Sequence, residues 1–227
     1  MGVFDNPSWT GHQQVAYCRQ EALGLSAIIA IHDTTLGPAI GGCRMAPYTS
    51  EADALSDALR LSRAMTYKTA CAGINLGGGT AVIIGDPAVH KSEARLRSVG
   101  QFIESLNGRF IASTDMGTTS DDMDLVNMET DHVCGVGQHY GGSGDPSPVC
   151  GWGVFYAIKS SVSKLQGEGS LSSQRVAVQG CGSVGYHVCR YLHDEGADLT
   201  VTDLDPAAAE RVANEFGATV VEPASIY

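Results

Sequence analysis

Short apolar runs alternate with amphipathic stretches along the first half of the chain. Three runs rich in β-branched or apolar residues predict strands, at 26–32, 80–85 and 109–113. Two stretches with apolar residues at helical spacing predict helices, at 50–68 and 91–106. The segment 33–42 contains three glycines and a proline, so we interpret it as a turn-rich connection. This pattern predicts an α/β domain over residues 1–145.

The pattern changes after the Gly-, Ser- and Pro-rich segment 140–148, which predicts a domain boundary. Beyond it, helices are predicted at 153–165 and 186–195, and strands at 175–179, 197–202 and 218–221. The order of strand, glycine-rich turn, helix and strand is typical of a Rossmann dinucleotide-binding domain, over residues 146–227. Such a domain normally has six strands and this segment supplies three. We therefore expect a partial, truncated domain, either as a fragment or as a natural short form.

The most specific local motif is G-x-G-x-x-G, formed by Gly180, Cys181, Gly182, Ser183, Val184 and Gly185. Its glycines permit a tight turn, a close approach of the backbone to a pyrophosphate, and packing of the helix on the strand. Asp203 ends the next predicted strand, where a carboxylate accepts hydrogen bonds from ribose hydroxyls and repels a 2′-phosphate. The motif therefore predicts NAD as the cofactor. Asp205, which precedes Pro206, is expected to cap the next helix instead.

Composition restricts the class of partner. The formal net charge is −11, which argues against nucleic acid or an anionic membrane as the partner and favours a small molecule. The seven cysteines include no C-x-x-C pair, so neither a disulfide framework nor a metal site is expected. The N-terminus has no signal-peptide pattern, and no long apolar span is found. We therefore expect a cytoplasmic protein.

Single residues in the first domain leave two interpretations open. Lys68, at the end of a predicted helix, is either a solvated surface cation or a carboxylate binder. Asp115 follows a strand, where α/β proteins often place ligands, but it could also form a turn. The glycines at 77–79 either permit a close backbone approach or form a flexible turn.

Several long segments, taken together, resemble the Glu/Leu/Phe/Val amino-acid dehydrogenase family. They are IHDTTLGPAIGGCRMAPY at 31–48, RLSRAMTYKTACAGINLGGG at 60–79, AVIIGDP at 81–87, GGSGDPSP at 141–148 and VQGCGSVG at 178–185. The resemblance runs along nearly the whole chain. It implies a substrate-binding and oligomerisation domain followed by a Rossmann domain, a homo-oligomer, and NAD-dependent oxidative deamination of a branched-chain or other apolar L-amino acid to its 2-keto acid.

The resemblance also assigns roles to individual residues. Lys68 would hold the substrate carboxylate, in a pocket shaped by Gly41, Gly42 and Met65, and Asp115 would handle protons on the amino group and the attacking water. The family places a second, catalytic lysine directly after the triple glycine, and here that position is Thr80. A threonine hydroxyl is too weak an acid or base near pH 7 to replace a lysine with a lowered pKa.

This departure leaves three functions open. The chain is expected to be an amino-acid dehydrogenase impaired by Thr80 and by the missing C-terminal part, a non-catalytic assembly partner, or a sensor that binds an amino acid through Lys68. Thr114, which stands where the family often has glutamate, also changes the charge beside Asp115. Turnover separates the first function from the other two, and amino-acid binding separates the sensor from the assembly partner.

Overall fold

The structure is a computed structural model that describes residues 2–167 and 169–226. The chain divides into two compact units, Met1–Asp145 and Pro146–Tyr227. In both units helices pack on a β-sheet. Among the described residues, no helix is both long and apolar enough to cross a membrane.

Unit 1 contains a mixed five-stranded sheet. Its strands are β1 (Gln14–Gln20), β2 (Leu25–Asp33), β3 (Ala39–Ala46), β4 (Gly77–Ile84) and β5 (Phe110–Thr114). They lie in the order β1-β2-β4-β3-β5, with β2 antiparallel to both β1 and β4, and β3 parallel to both β4 and β5. Its helices are α1 (Glu51–Ala72), α2 (Pro87–His90), α3 (Glu93–Glu104) and α4 (Ser120–Asn127).

The prediction that 33–42 is only a turn was wrong, because Ala39–Ala46 forms the strand β3 between β4 and β5. Its residues alternate between buried and half-buried positions, as expected for a strand within a sheet. Glycine and proline lower the β-propensity of this segment. Long-range pairing with β4 and β5 outweighs that local preference. The strand β1 was not predicted either.

The two faces of this sheet pack against different helices. On one face, side chains of β2, β3 and β4 pack with α3 and α4 around the fully buried Phe110. On the other face, Ile28, Ala30 and Val82 pack against the buried residues of α1. The helix α1 begins at the N-cap Ser50, whose hydroxyl accepts a 3.1 Å hydrogen bond from the Asp53 N–H, and ends at Gly73 in a left-handed conformation.

Two histidines fix α1 to the rest of unit 1. The Thr10 N–H donates to His12 Nδ1 at 3.3 Å, so the proton lies on His12 Nε2, which donates to the Leu59 carbonyl at 2.9 Å. His32 Nδ1 lies 2.9 Å from Thr66 Oγ1. Burial lowers the pKa of both histidines, so both are neutral near pH 7. These contacts fix α1 at Leu59 and again at Thr66.

Unit 2 contains a parallel three-stranded sheet, with strands β6 (Arg175–Gln179), β7 (Asp198–Thr202) and β8 (Thr219–Val220) in that order. Its helices are α5 (Ser147–Gln166), α6 (Ser183–Asp194) and α7 (Pro206–Phe216). Cys189, Leu192, Val201 and Val212 are fully buried between the helices and the sheet. The helix α5 begins six residues before its predicted start at 153, because Pro148 occupies its first turn, where proline is tolerated.

Candidate active site

Two glycines, Gly41 and Gly78, bring the backbone of α1, β3 and β4 into direct contact. A Cβ atom on Gly41 would lie 1.8 Å from the Gly79 carbonyl oxygen and 3.3 Å from Met65 Cγ. A Cβ atom on Gly78 would lie 2.1 Å from the Thr66 nitrogen on α1, and one on Gly79 would lie 2.7 Å from the Phe110 ring. The glycines at 77–79 therefore belong to a strand on which α1 packs closely, and they do not form a flexible turn.

Position 80 and Asp115 both lie beside Gly42. Thr80 is 1% exposed, and its hydroxyl donates a 2.9 Å hydrogen bond to the Gly42 carbonyl. Asp115 directly follows β5, the strand next to β3. A Cβ atom on Gly42 would lie 2.4 Å from Asp115 Cβ. Gly42 thus leaves room for the Asp115 side chain next to position 80.

The Asp115 carboxylate accepts three hydrogen bonds, two from Arg44 and one from the Met116 backbone. Arg44 Nε donates to Oδ2 at 3.1 Å, and the Met116 N–H donates to Oδ1 at 2.8 Å. Arg44 Nη1 also donates to Asp57 on α1 at 3.0 Å, and the Tyr48 hydroxyl donates to the same Asp57 oxygen at 2.7 Å. The side chains of Arg44, Asp57 and Asp115 are about a quarter exposed. Arg44 therefore orients Asp115, while Asp57 on α1 holds the Arg44 guanidinium in place.

Sequence analysis did not single out Arg44 or Asp57. The available signal was an arginine within the segment GGCRM, between two apolar residues that turn inward. A charged side chain in an alternating strand needs a partner when it is partly buried. Sequence analysis did not predict a strand at 39–46, so it gave no reason to look for a partner of Arg44.

Lys68 lies on α1, one turn after Met65 and on the same face of the helix. Its side chain is exposed, and within residues 2–167 and 169–226 it forms no ion pair or hydrogen bond. The ammonium group is therefore available to an anionic ligand. In the same described part of the chain, no cluster of His, Cys, Asp and Glu side chains could hold a metal ion.

In unit 2, the turn between β6 and α6 has the geometry of a phosphate-binding loop. Gly180 has φ +97°, and a Cβ atom on Gly185 would lie 1.8 Å from the Gly180 carbonyl oxygen. Gly182 is exposed, and a Cβ atom there would meet no atom within 4 Å. Gly182 is also the N-cap of α6, which has no side-chain cap, so the first N–H groups of α6 remain available to a ligand.

Asp203 is hydrogen-bonded to the same loop. Its Oδ2 atom accepts from the Cys181 N–H at 2.6 Å, and its Oδ1 atom accepts from the Asp205 N–H at 2.8 Å. Asp205 in turn caps α7 through a 3.0 Å hydrogen bond from the Ala207 N–H, which confirms the predicted cap. The carboxylate is half-buried and keeps further lone pairs for ribose hydroxyls. The residues of this half-site therefore fit a dinucleotide.

These geometries define a two-unit α/β protein with a partial Rossmann-like parallel sheet in its second unit. The sequence profile "Glu/Leu/Phe/Val dehydrogenase, dimerisation domain" matches residues 12–132, and the profile "Glutamate/Leucine/Phenylalanine/Valine dehydrogenase" matches residues 141–209. The chain therefore belongs to the Glu/Leu/Phe/Val dehydrogenase family, as its sequence segments predicted.

The relatives are named as dehydrogenases of different amino acids. The chain is 54% identical over 227 residues to a leucine dehydrogenase of Geobacillus stearothermophilus, and 51% identical over 221 residues to a phenylalanine dehydrogenase of Lysinibacillus sphaericus. These matches cover 100% and 95% of the chain, but only 62% and 58% of the relatives. The crystal structure of L-tryptophan dehydrogenase from Nostoc punctiforme is similar with a TM-score of 0.64 and 48% identity, over 96% of this chain and 61% of that one.

Proposed function

We propose that this protein catalyses the NAD-dependent oxidative deamination of a branched-chain or other apolar L-amino acid to its 2-keto acid, at a rate lowered by Thr80. The observation that carries the proposal is the convergence of Asp115 and position 80 on Gly42, beside the helix that presents Lys68. The names of the relatives support an L-amino acid as the substrate class. The dinucleotide half-site in unit 2 supports the cofactor.

Each polar group has a role in this mechanism. Lys68 binds the substrate carboxylate, because its ammonium group has no competing partner in the described chain. Asp115, oriented by Arg44, accepts a proton from the substrate amino group. The bound nicotinamide supplies the chemistry of hydride acceptance from the substrate Cα. Gly182 and the N-terminus of α6 hold the pyrophosphate, and Asp203 holds the adenosine ribose.

Hydrolysis of the resulting imine is the step that Thr80 impairs. The step needs a base that removes a proton from water, and a lysine with a lowered pKa can act in this way. The Thr80 hydroxyl is buried and already donates its hydrogen to Gly42, so it offers no base of comparable strength. Asp115 then remains as the one carboxylate that we place beside the reacting atoms.

The buried, hydrogen-bonded Thr80 also favours a second candidate function, which is binding of the amino acid and the nucleotide without turnover. Lys68, Asp115 and the phosphate-binding loop do not depend on a lysine at position 80, so they would still hold both ligands. Calorimetric titration with L-leucine and NAD⁺, together with NADH absorbance, separates the two functions. Binding with NADH formation supports the dehydrogenase, binding without NADH formation supports the second candidate, and absence of binding contradicts both.

We expect Lys68→Met to weaken L-leucine binding by about 10- to 100-fold, since a hydrogen bond to a charged group is worth about 1.5–3 kcal/mol. Methionine keeps the length and helix propensity of the side chain, and only the charge is lost. Isothermal titration in the presence of NAD⁺ measures the change. Arg60→Met, on the exposed surface of the same helix, is the control and should leave leucine affinity unchanged. Equal affinities of the parent and Lys68→Met would contradict the role of Lys68.

We also propose that the protein is a homo-oligomer assembled through unit 1. The matched dimerisation-domain profile lies within this unit, and β1 is an edge strand with a half-exposed Tyr17. Unpaired edges of this kind readily pair with another chain. Multi-angle light scattering at micromolar concentration should give at least twice the mass of 23.7 kDa. A monodisperse monomer would contradict the proposal.

A further inference from the structure

Asp203 and Arg211 lie on either side of one residue of the phosphate-binding loop. Asp203 Oδ2 accepts a 2.6 Å hydrogen bond from the Cys181 nitrogen, and Arg211 Nη2 donates to the Cys181 carbonyl at 3.5 Å. Asp203 follows β7, and Arg211 lies on α7, so two neighbouring elements bring opposite charges to the same place. The pKa of the Cys181 thiol is raised by burial first and then by Asp203, and Arg211 opposes both effects.

Arg211 is held in place but keeps most of its hydrogen-bonding capacity. Its guanidinium lies 4.3 Å from the centre of the Tyr186 ring, and the Tyr186 hydroxyl is itself bonded to Glu215. A guanidinium has five N–H donors, and one of them contacts Cys181. Arg211 is exposed, and it forms no ion pair among the described residues. The remaining donors can therefore bind a phosphate, for which arginine has a suitable geometry.

We propose that Arg211 is a second determinant of cofactor choice. Asp203 excludes a ribose 2′-phosphate by charge repulsion, and Arg211 binds that phosphate once the Asp203 charge is removed. The inference rests on the proposed function, because it assumes that a dinucleotide places its ribose at Asp203. It goes beyond that function because it concerns a residue outside the G-x-G-x-x-G motif, on a different helix.

The test compares four forms of the chain: the parent, Asp203→Asn, Arg211→Met and the double variant. Isothermal titration measures their affinities for NAD⁺ and NADP⁺, and for 5′-AMP and 2′,5′-ADP, two smaller probes that differ only in the 2′-phosphate. We expect Asp203→Asn to bind NADP⁺ and 2′,5′-ADP at least about tenfold more tightly than the parent, because the repulsive charge is lost. The double variant should lose that gain.

Two further variants exclude a purely structural effect. Arg211→Lys, in the Asp203→Asn background, keeps the positive charge and should retain part of the gain. Arg190→Met, in the same Asp203→Asn background, removes a different arginine, which lies 4.8 Å from the centre of the Tyr191 ring. This variant should retain the whole gain in NADP⁺ affinity. Circular dichroism of each variant verifies that unit 2 is folded.

The outcomes separate this inference from the proposed function. If the parent binds NAD⁺ but Asp203→Asn gains no affinity for NADP⁺, or gains it whether or not Arg211 is present, the inference is wrong and the proposed function stands. If the parent binds neither NAD⁺ nor 5′-AMP, the proposed function is wrong and the inference falls with it.

Discussion

Replacing Thr80 with lysine should raise the rate of NADH formation from L-leucine and NAD⁺ by about 10²- to 10⁴-fold, which is the usual contribution of a general acid or base. The new side chain would start beside Gly42, the residue against which Asp115 also packs. Burial of position 80 should lower the pKa of the new lysine and favour the neutral amine, against the opposing effect of the Asp115 carboxylate beside Gly42. NADH absorbance under saturating substrate measures the gain.

Thr80→Met is the matched control, since methionine introduces an unbranched side chain of similar length without an amine. It should remain as slow as the parent. If the methionine variant gains as much as the lysine variant, the effect comes from repacking around Gly42 and not from a base. A parent that already equals Thr80→Lys in rate would show that another group performs the proton transfer.

The second large effect concerns two glycines of the phosphate-binding loop that serve different purposes. Gly185→Ala should destabilise unit 2 by about 1–3 kcal/mol or more, because the added Cβ atom has no space beside the Gly180 carbonyl. Gly182→Ala should change the free energy of unfolding by less than about 0.5 kcal/mol, since its Cβ atom would meet nothing and its φ of −66° suits alanine. It should instead weaken NAD⁺ binding at least about tenfold, because the methyl group takes the space needed by the pyrophosphate.

The two tryptophans allow these stabilities to be measured separately. Trp9 lies in unit 1 and Trp152 lies on α5 in unit 2, so in a Trp9→Phe background the fluorescence of Trp152 reports unit 2 alone. Urea unfolding of that variant, with and without Gly182→Ala or Gly185→Ala, gives the two free-energy changes. If Gly182→Ala unfolds unit 2, or if it leaves NAD⁺ affinity intact, the assigned division of roles is wrong.

The parts of unit 2 that could be predicted from sequence depend on neighbouring residues. A tight turn, a helix N-terminus and a carboxylate after the next strand occur at fixed spacing, so the positions of Gly180, Gly185 and Asp203 follow from local geometry. The position of Arg211 does not follow in this way. It depends on how α7 packs beside the loop, and no local pattern encodes that packing.

In unit 1 the prediction failed where long-range pairing overrides local preference. The strand β3 contains two adjacent glycines, which a local analysis assigns to a turn, yet parallel neighbours on both sides hold it extended. Arg44 and its partners Asp57 and Asp115 come from three separate elements, so their ion pairs were not predictable from spacing. The importance of positions 68 and 80 was inferred from the resemblance of whole segments to the family, because neither Lys68 nor Thr80 belongs to a short local motif.

The glycine-lined contact between α1 and β4 restricts how substrate choice could change in this fold. At Gly78 the helix backbone packs directly on the strand, because an added Cβ atom would lie 2.1 Å from the Thr66 nitrogen and 2.5 Å from the Ser62 carbonyl oxygen. The distance between Lys68 and the sheet is thus set by the main chain and is insensitive to most substitutions. A protein built this way would hold every amino acid by its common carboxylate end at one fixed point. Discrimination between small and large substrates would then have to come from residues that line the far end of the ligand, which can vary without disturbing that anchor.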